Sequence, residues 1–281
     1  MTDTIATDGP RTATIIATNT RSGAWKRHFT SLPAVLFYGA LFILWEIASQ
    51  LGWVRAFILP GPSMIIQSMQ LNSSSLWSNT IVTAREIVIG FVIGSLLGFL
   101  LALGIFYSKP LRTIIYPGVV FLQTVPKVAL APLFLIWFGV GETSIIAITA
   151  LICLFPVLVN TVVGFEGVDV NLLELMHSVS ANGWQKFRMI YLPSSLPEIF
   201  AGLEVGMSLA VVGAIVGEFI GARAGLGYQI LMANSRIDTA EVFAAIVFIS
   251  AIGMLFYFGV RLLGRLMVGT RANTRLARES G

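Results

Sequence analysis

The chain has 281 residues, of which 56% are hydrophobic and 11% charged, with a formal net charge of +4. A soluble domain averages about 25% charged residues, so this composition excludes an ordinary soluble fold and points to an all-α membrane protein. It also argues against a nucleic-acid partner, because the basic residues border the apolar runs and form no separate stripe.

Residues 1–30 are rich in threonine, lack a helical period and lack the apolar core of a signal peptide, and so read as a disordered cytoplasmic tail. Residues 31–75 hold a first span, about 33–51, and an external loop. In that loop Leu59-Pro60-Gly61-Pro62 forms an extended turn. Ser63 is placed to cap a short helix through Leu71 on the outer membrane surface, with Met64, Ile65, Ile66 and Met69 as its apolar positions. Runs at about 81–107, 112–138, 143–163, 196–221 and 241–264 bring the predicted spans to six. They make a transmembrane domain over 76–266, followed by a basic cytoplasmic tail over 267–281.

Along the second span, Gly90, Gly94 and Gly98 recur every fourth residue, stripping one helix face so that another backbone can approach. The partner helix, in this subunit or in a second copy, is left open by the sequence. The third span carries Pro117, Pro126 and Pro132 and is predicted to break where proline removes a backbone donor. Cys153 is the single cysteine and reads as a buried structural thiol.

Six apolar-run charges, Glu46, Arg85, Glu86, Lys127, Glu204 and Glu218, are costly in lipid and must face protein or water. Lys127, beside two prolines, either attracts an anionic substrate or pairs and snorkels. Glu204 is a candidate partner for Lys127 or Arg85. Gln123, Lys127, Trp137 and Glu218 are candidates for a translocation path, with core packing as the alternative for Gln123 and Trp137.

Orientation follows from the basic residues. Lys26, Arg27, Lys109, Arg112, Lys186, Arg188, Arg261 and Arg265 gather on one side with the basic residues of both tails. The opposite loops hold Arg55, Arg223 and Arg236. The positive-inside rule makes the rich side, and with it both termini, cytoplasmic.

The polar segment from Asn171 to Pro193 therefore faces the cytoplasm. Asn171 and Glu174 have the spacing of a capping box. Ser180-Ala181-Asn182-Gly183 interrupts the helix, and a second short helix follows. Trp184, Phe187 and Tyr191 share one face of it, offering large anchors to a partner groove, until Pro193 ends the element.

This segment resembles the EAA loop of ABC-transporter permeases of the binding-protein-dependent import type. Glu174 takes the acid position, and Ile190, Leu192 and Pro193 match the I-x-L-P end of that pattern. Leu175 and Met176 replace the paired alanines and Ser180 replaces the glycine, with Gly183 nearby. The segments Val125–Pro132, Leu135–Glu142, Phe155-Pro156, Asn160-Thr161, Gly217-Glu218-Phe219 and Gly225-Leu226-Gly227 resemble the nitrate, sulfonate and taurine group of these permeases.

The resemblance implies the transmembrane domain of a type-1 ABC importer in the bacterial inner membrane. It implies a separate cytoplasmic ATPase, an external solute-binding protein and a permease homodimer surrounded by lipid. Glu174, Ser180, Asn182, Gly183, Trp184, Phe187, Ile190, Leu192 and Pro193 would make the ATPase-coupling site. The solute would be small and polar or anionic, of the nitrate, sulfonate or taurine kind, or a pyrimidine, riboflavin or aromatic acid.

No G-x-x-x-x-G-K-[ST] stands in the chain, so this subunit is expected to bind no cofactor and to leave ATP to its partner. An ATP-independent secondary transporter or channel is the rival reading, although one broken span without a repeat fits it poorly. A membrane enzyme fits less well, since His28 and His177 lie far apart and no H-E-x-x-H or cysteine cluster exists.

Overall fold

The computed structural model describes residues 31–279, with side chains described for 35–269 apart from 109, 115, 116 and 120. The expected tail over 1–30 lies outside the described residues. The helices are α1 (Ser31–Gln50), α2 (Pro62–Leu71), α3 (Ser73–Tyr107), α4 (Lys109–Thr124), α5 (Ala131–Phe138), α6 (Glu142–Glu166) and α7 (Val170–Ser178). They continue with α8 (Gly183–Lys186), α9 (Leu192–Gly221), α10 (Leu226–Ser235) and α11 (Thr239–Glu279). Among the described residues there is no strand.

Four described helices are long and apolar enough to cross a membrane: α3, α6, the continuous run Gly183–Gly221 and Thr239–Gly269. The stretch predicted as the third span is two helices bent by 92° at Val125-Pro126, just before the short 3-10 turn Lys127–Leu130, and makes a fifth span if both halves count as one. Val35–Gln50 is a shorter apolar helix. The predicted six spans thus stand at four or five among the described residues. The bend falls where Pro126 and Pro132 flank the turn and withhold backbone donors.

α6 is the centre of the bundle: 61% of its most apolar stretch is buried, against 11% for α11. Helices in lipid gain little from hydrophobic burial relative to one another, so close van der Waals packing must hold them together. Glycine supplies that closeness to α6 from two helices, α3 and α9. A Cβ at Gly90 would come within 2.6 Å of Thr149 Cβ, and one at Gly98 within 2.6 Å of the Leu154 carbonyl oxygen. Gly94 sits between the Ala150 carbonyl and Cys153 Sγ. The partner of this glycine face is therefore α6 of the same chain. From α9, Gly202, Gly206, Gly213 and Gly217 press against Pro156–Val157, Cys153, Thr149 and Ile145 of the same helix.

Three boundaries differ from the sequence reading. α3 begins at Ser73 and has 35 residues, about 52 Å of helix, so one end projects past a hydrocarbon core about 30 Å thick. α2 is not capped by Ser63. Its N-cap is Gly61 without a side-chain bond, and the Ser63 amide and hydroxyl donate to Glu46 of α1 at 3.0 and 2.6 Å. The Glu46 carboxylate thus satisfies the start of α2 from another helix. Pro193 does not end its element, because α8 passes through the π-turn Phe187–Tyr191 directly into α9. The wide turn absorbs the break that a proline without an N–H imposes.

Candidate functional site

α7 starts at Asp169, whose Oδ1 accepts the Asn171 amide at 2.9 Å. Asn171 is thus not the N-cap, and the capping box with Glu174 does not form. Such a box appears one element later, where Asn182 Oδ1 accepts from the Gln185 amide and Gln185 Oε1 from the Asn182 amide, both at 2.8 Å. Between them α7 closes with Ser180 N–H donating to His177 O at 2.9 Å and Ala181 N–H to Met176 O at 3.0 Å. That is the Schellman pair, and it places Ser180 in the left-handed region at φ 53. Gly183 needs no such freedom, since a Cβ there would meet nothing within 4 Å.

Trp184 and Phe187 have opposite surroundings. Trp184 is 65% exposed and Phe187 only 7%. The Phe187 ring packs among Phe106, Tyr107 and Phe165, at centroid distances of 6.3, 5.8 and 6.0 Å. Tyr191 lies 4.6 Å from Phe106. Trp184 stacks on Phe187 at 5.8 Å, and Phe187 and Tyr191 both pack against Phe106, so the three rings share one side with Trp184 at its exposed edge. Phe187 and Ile190 turn inward and tie the segment to α3 and α6. Glu174, Ser180, Asn182, Gly183 and Trp184 stay exposed, while Leu192 and Pro193 are half-buried at the start of α9.

A second assembly lies at the broken span. A cavity of about 280 Å³ opens between Gln123, Lys127, Phe155, Pro156, Asn160 and Leu209. Lys127 Nζ donates to the Gln123 carbonyl at 3.2 Å and stands 4.9 Å from the centre of the Phe155 ring. One ammonium donor is used and the others remain for the cavity. Asn160 lines the same cavity and donates to Pro156 O at 2.8 Å. Trp137 does not join Gln123 and Lys127 there. It lies beyond the bend on α5, 65% exposed. Phe155, Asn160 and Leu209 line the cavity without having been singled out as path residues, although the first two stand in motifs that carried the resemblance.

Glu218 is not in the cavity either. It is 1% exposed and forms the hub of a polar cluster joining α3, α9 and α10. Thr83 Oγ1 donates to Glu218 Oε1 at 2.6 Å and accepts the Leu226 amide at 2.8 Å. The Gly227 amide donates to Glu218 Oε2. A buried carboxyl group thus meets amides that a helix start leaves free. Gly225, at φ 111, and Gly227 are required because a Cβ at either would collide with that carboxylate. Asn79 extends the cluster, accepting the Gly225 amide at 2.8 Å and donating to Gln229 at 2.9 Å. Gln229 donates to Glu241 at 3.0 Å, which also takes Arg236 at 2.7 Å.

Of the other intramembrane charges, Glu86 is 2% exposed with its Oε2 unpartnered, whereas two have partners. Arg85 pairs with Glu142, and Glu204 accepts the Tyr257 hydroxyl at 3.1 Å, so Glu204 bonds to neither Lys127 nor Arg85.

The family model described as "Binding-protein-dependent transport system inner membrane component" matches residues 94–269, a region holding the loop, the cavity and most of the Glu218 cluster. The chain belongs to this family. Among curated relatives, the permease is 34% identical over 247 residues to the formylaminopyrimidine transport permease protein ThiX of Halalkalibacterium halodurans, covering 88% of this chain and 98% of that one. It is 34% identical to the riboflavin transport system permease protein RibX of Chloroflexus aurantiacus, over 86% and 90% of the two chains. To the putative aliphatic sulfonates transport permease protein SsuC of Bacillus subtilis it is 31% identical, over 88% and 90%. Among solved structures, an amino acid ABC transporter aligns with a TM-score of 0.58 at 21% identity, covering 73% of the permease and 97% of that chain. The inward-facing MetNI methionine ABC transporter aligns at 0.55 and 20% identity, covering 71% and 97%. The fold is that of ABC importer transmembrane domains, and the permease is a multi-pass membrane protein.

Proposed function

We propose that this permease is the membrane subunit of an ATP-driven importer, working as a homodimer with a separate cytoplasmic ATPase and an external solute-binding protein. The observation that carries the reading is the segment 170–193, which presents Trp184 outward while Phe187 and Ile190 brace it against α3 and α6. A partner that moves such a braced segment also moves the spans. ATP binding and hydrolysis belong to the ATPase, since this chain carries no phosphate-cradling motif. Both termini, with the tails over 1–30 and 267–281, face the cytoplasm by the distribution of Lys and Arg.

The solute passes the broken span, where Lys127, Gln123 and Asn160 offer polar groups beside the Phe155 ring. That chemistry suits a small polar or anionic solute, in keeping with the relatives named for formylaminopyrimidine, riboflavin and aliphatic sulfonates. Proteoliposomes holding the permease, its cognate ATPase and the binding protein test the reading. Uptake that requires ATP and all three proteins is the expected result. Uptake by the permease alone, driven by an ion gradient, would make it a secondary transporter.

A further inference from the structure

The groove between α9 and α11 belongs to none of the assemblies above. It measures about 470 Å³, and its walls include Phe200, Glu204, Arg261, Gly264, Arg265 and Val268. Arg261 and Arg265 stand one turn apart on α11, so both guanidiniums border the same trough. The ion pairs among the described residues are Arg85–Glu142, Arg112–Glu166 and Arg236–Glu241, and neither groove arginine takes part. Among the described residues Glu204 is the one acid lining the groove, and it accepts the Tyr257 hydroxyl. The floor is apolar, with the Phe200 ring against Gly264, and Leu262, Leu263 and Leu266 are exposed along the same stretch of α11.

An arginine keeps its charge at any working pH, so in a membrane helix it must meet water or an anion. Two guanidinium forks above an apolar trough match the two halves of a lipid. The forks suit a phosphodiester, and the trough suits an acyl chain. We propose that this groove is a binding site for an anionic phospholipid, held through its phosphodiester by Arg261 and Arg265. A second copy of the chain is the less favoured occupant. The groove sets two guanidiniums against one carboxylate, and another copy would bring the same cationic end to it, whereas an anionic leaflet brings the opposite charge.

Native mass spectrometry of the full chain in neutral detergent tests this, with phosphatidylglycerol, phosphatidylethanolamine of the same acyl chains, and inorganic phosphate as separate additions. Phosphatidylglycerol alone should be retained. Each basic side chain near an anionic lipid contributes enough that Arg261→Gln with Arg265→Gln should weaken retention about 30-fold. Lysine at both positions should keep the preference for phosphatidylglycerol. Should the double variant fail to fold, Arg265→Gln alone, at an exposed position, should show about a fivefold loss. Equal retention of the two lipids, undiminished phosphatidylglycerol retention in the glutamine variants, or equal capture of inorganic phosphate would overturn the proposal. So would a double variant that loses its partner copy while binding lipid as before.

Discussion

Ser180 occupies a backbone conformation, φ 53, that costs a residue with a Cβ roughly 1–2 kcal/mol. Ser180→Gly should therefore raise the thermal stability of the permease by about 1 kcal/mol with uptake intact. A lowered melting temperature would show that the serine side chain, and not its strain, dominates there. Thr83 is a residue with two obligations, donating to Glu218 and accepting from Leu226. Thr83→Val keeps the shape but leaves both buried groups unpartnered, a loss of about 1–3 kcal/mol in a thermal melt. No loss would mean that water takes over both bonds. At Lys127 the expected outcome is functional: Lys127→Gln should depress uptake while the melting temperature stays put, because its bonds are one carbonyl and one ring face. Unchanged uptake of the cognate solute would remove Lys127 from the path.

Among elements, the glycine faces of α3 and α9 decide the core. Gly94→Leu would drive a side chain into the Ala150 carbonyl of α6, and protease protection of the folded bundle should be lost. Protection equal to the parent would mean that α3 and α6 can separate at no cost. The three-fold recurrence of Gly90, Gly94 and Gly98 was legible because i, i+4 spacing puts all three on one face. The matching ladder of α9 escaped notice, since Gly202, Gly206, Gly213 and Gly217 skip a step. The proline-marked break was legible for the same local reason, as proline acts on its own backbone. What sequence reasoning could not reach were contacts across elements. Glu46 serves α2 from α1, Glu218 serves α10 from α9, and Phe106 and Phe165 cover Phe187 while Trp184, stacked on it, stays exposed. The motif Gly225-Leu226-Gly227 was visible as a resemblance, but its reason is the carboxylate it must enclose.

At the scale of the molecule, α3 and α9 both pack on α6, with the braced segment 170–193 at one end and a polar latch around Glu218 at the other. Force applied at the segment reaches α3 and α6 through the Phe106, Phe165 and Phe187 rings. This division of labour between neighbouring aromatics is the most exposed part of the account. The decisive measurement compares Trp184→Ala with Phe187→Ala, each purified from membranes and assayed for thermal stability, ATPase co-purification and uptake. Phe187→Ala should cost about 3 kcal/mol of stability, as loss of a packed ring does. Trp184→Ala should melt like the parent yet lose the ATPase and at least about tenfold in uptake, as removal of a central interface anchor does. Trp184→Ala with full ATPase retention and full uptake would contradict the account.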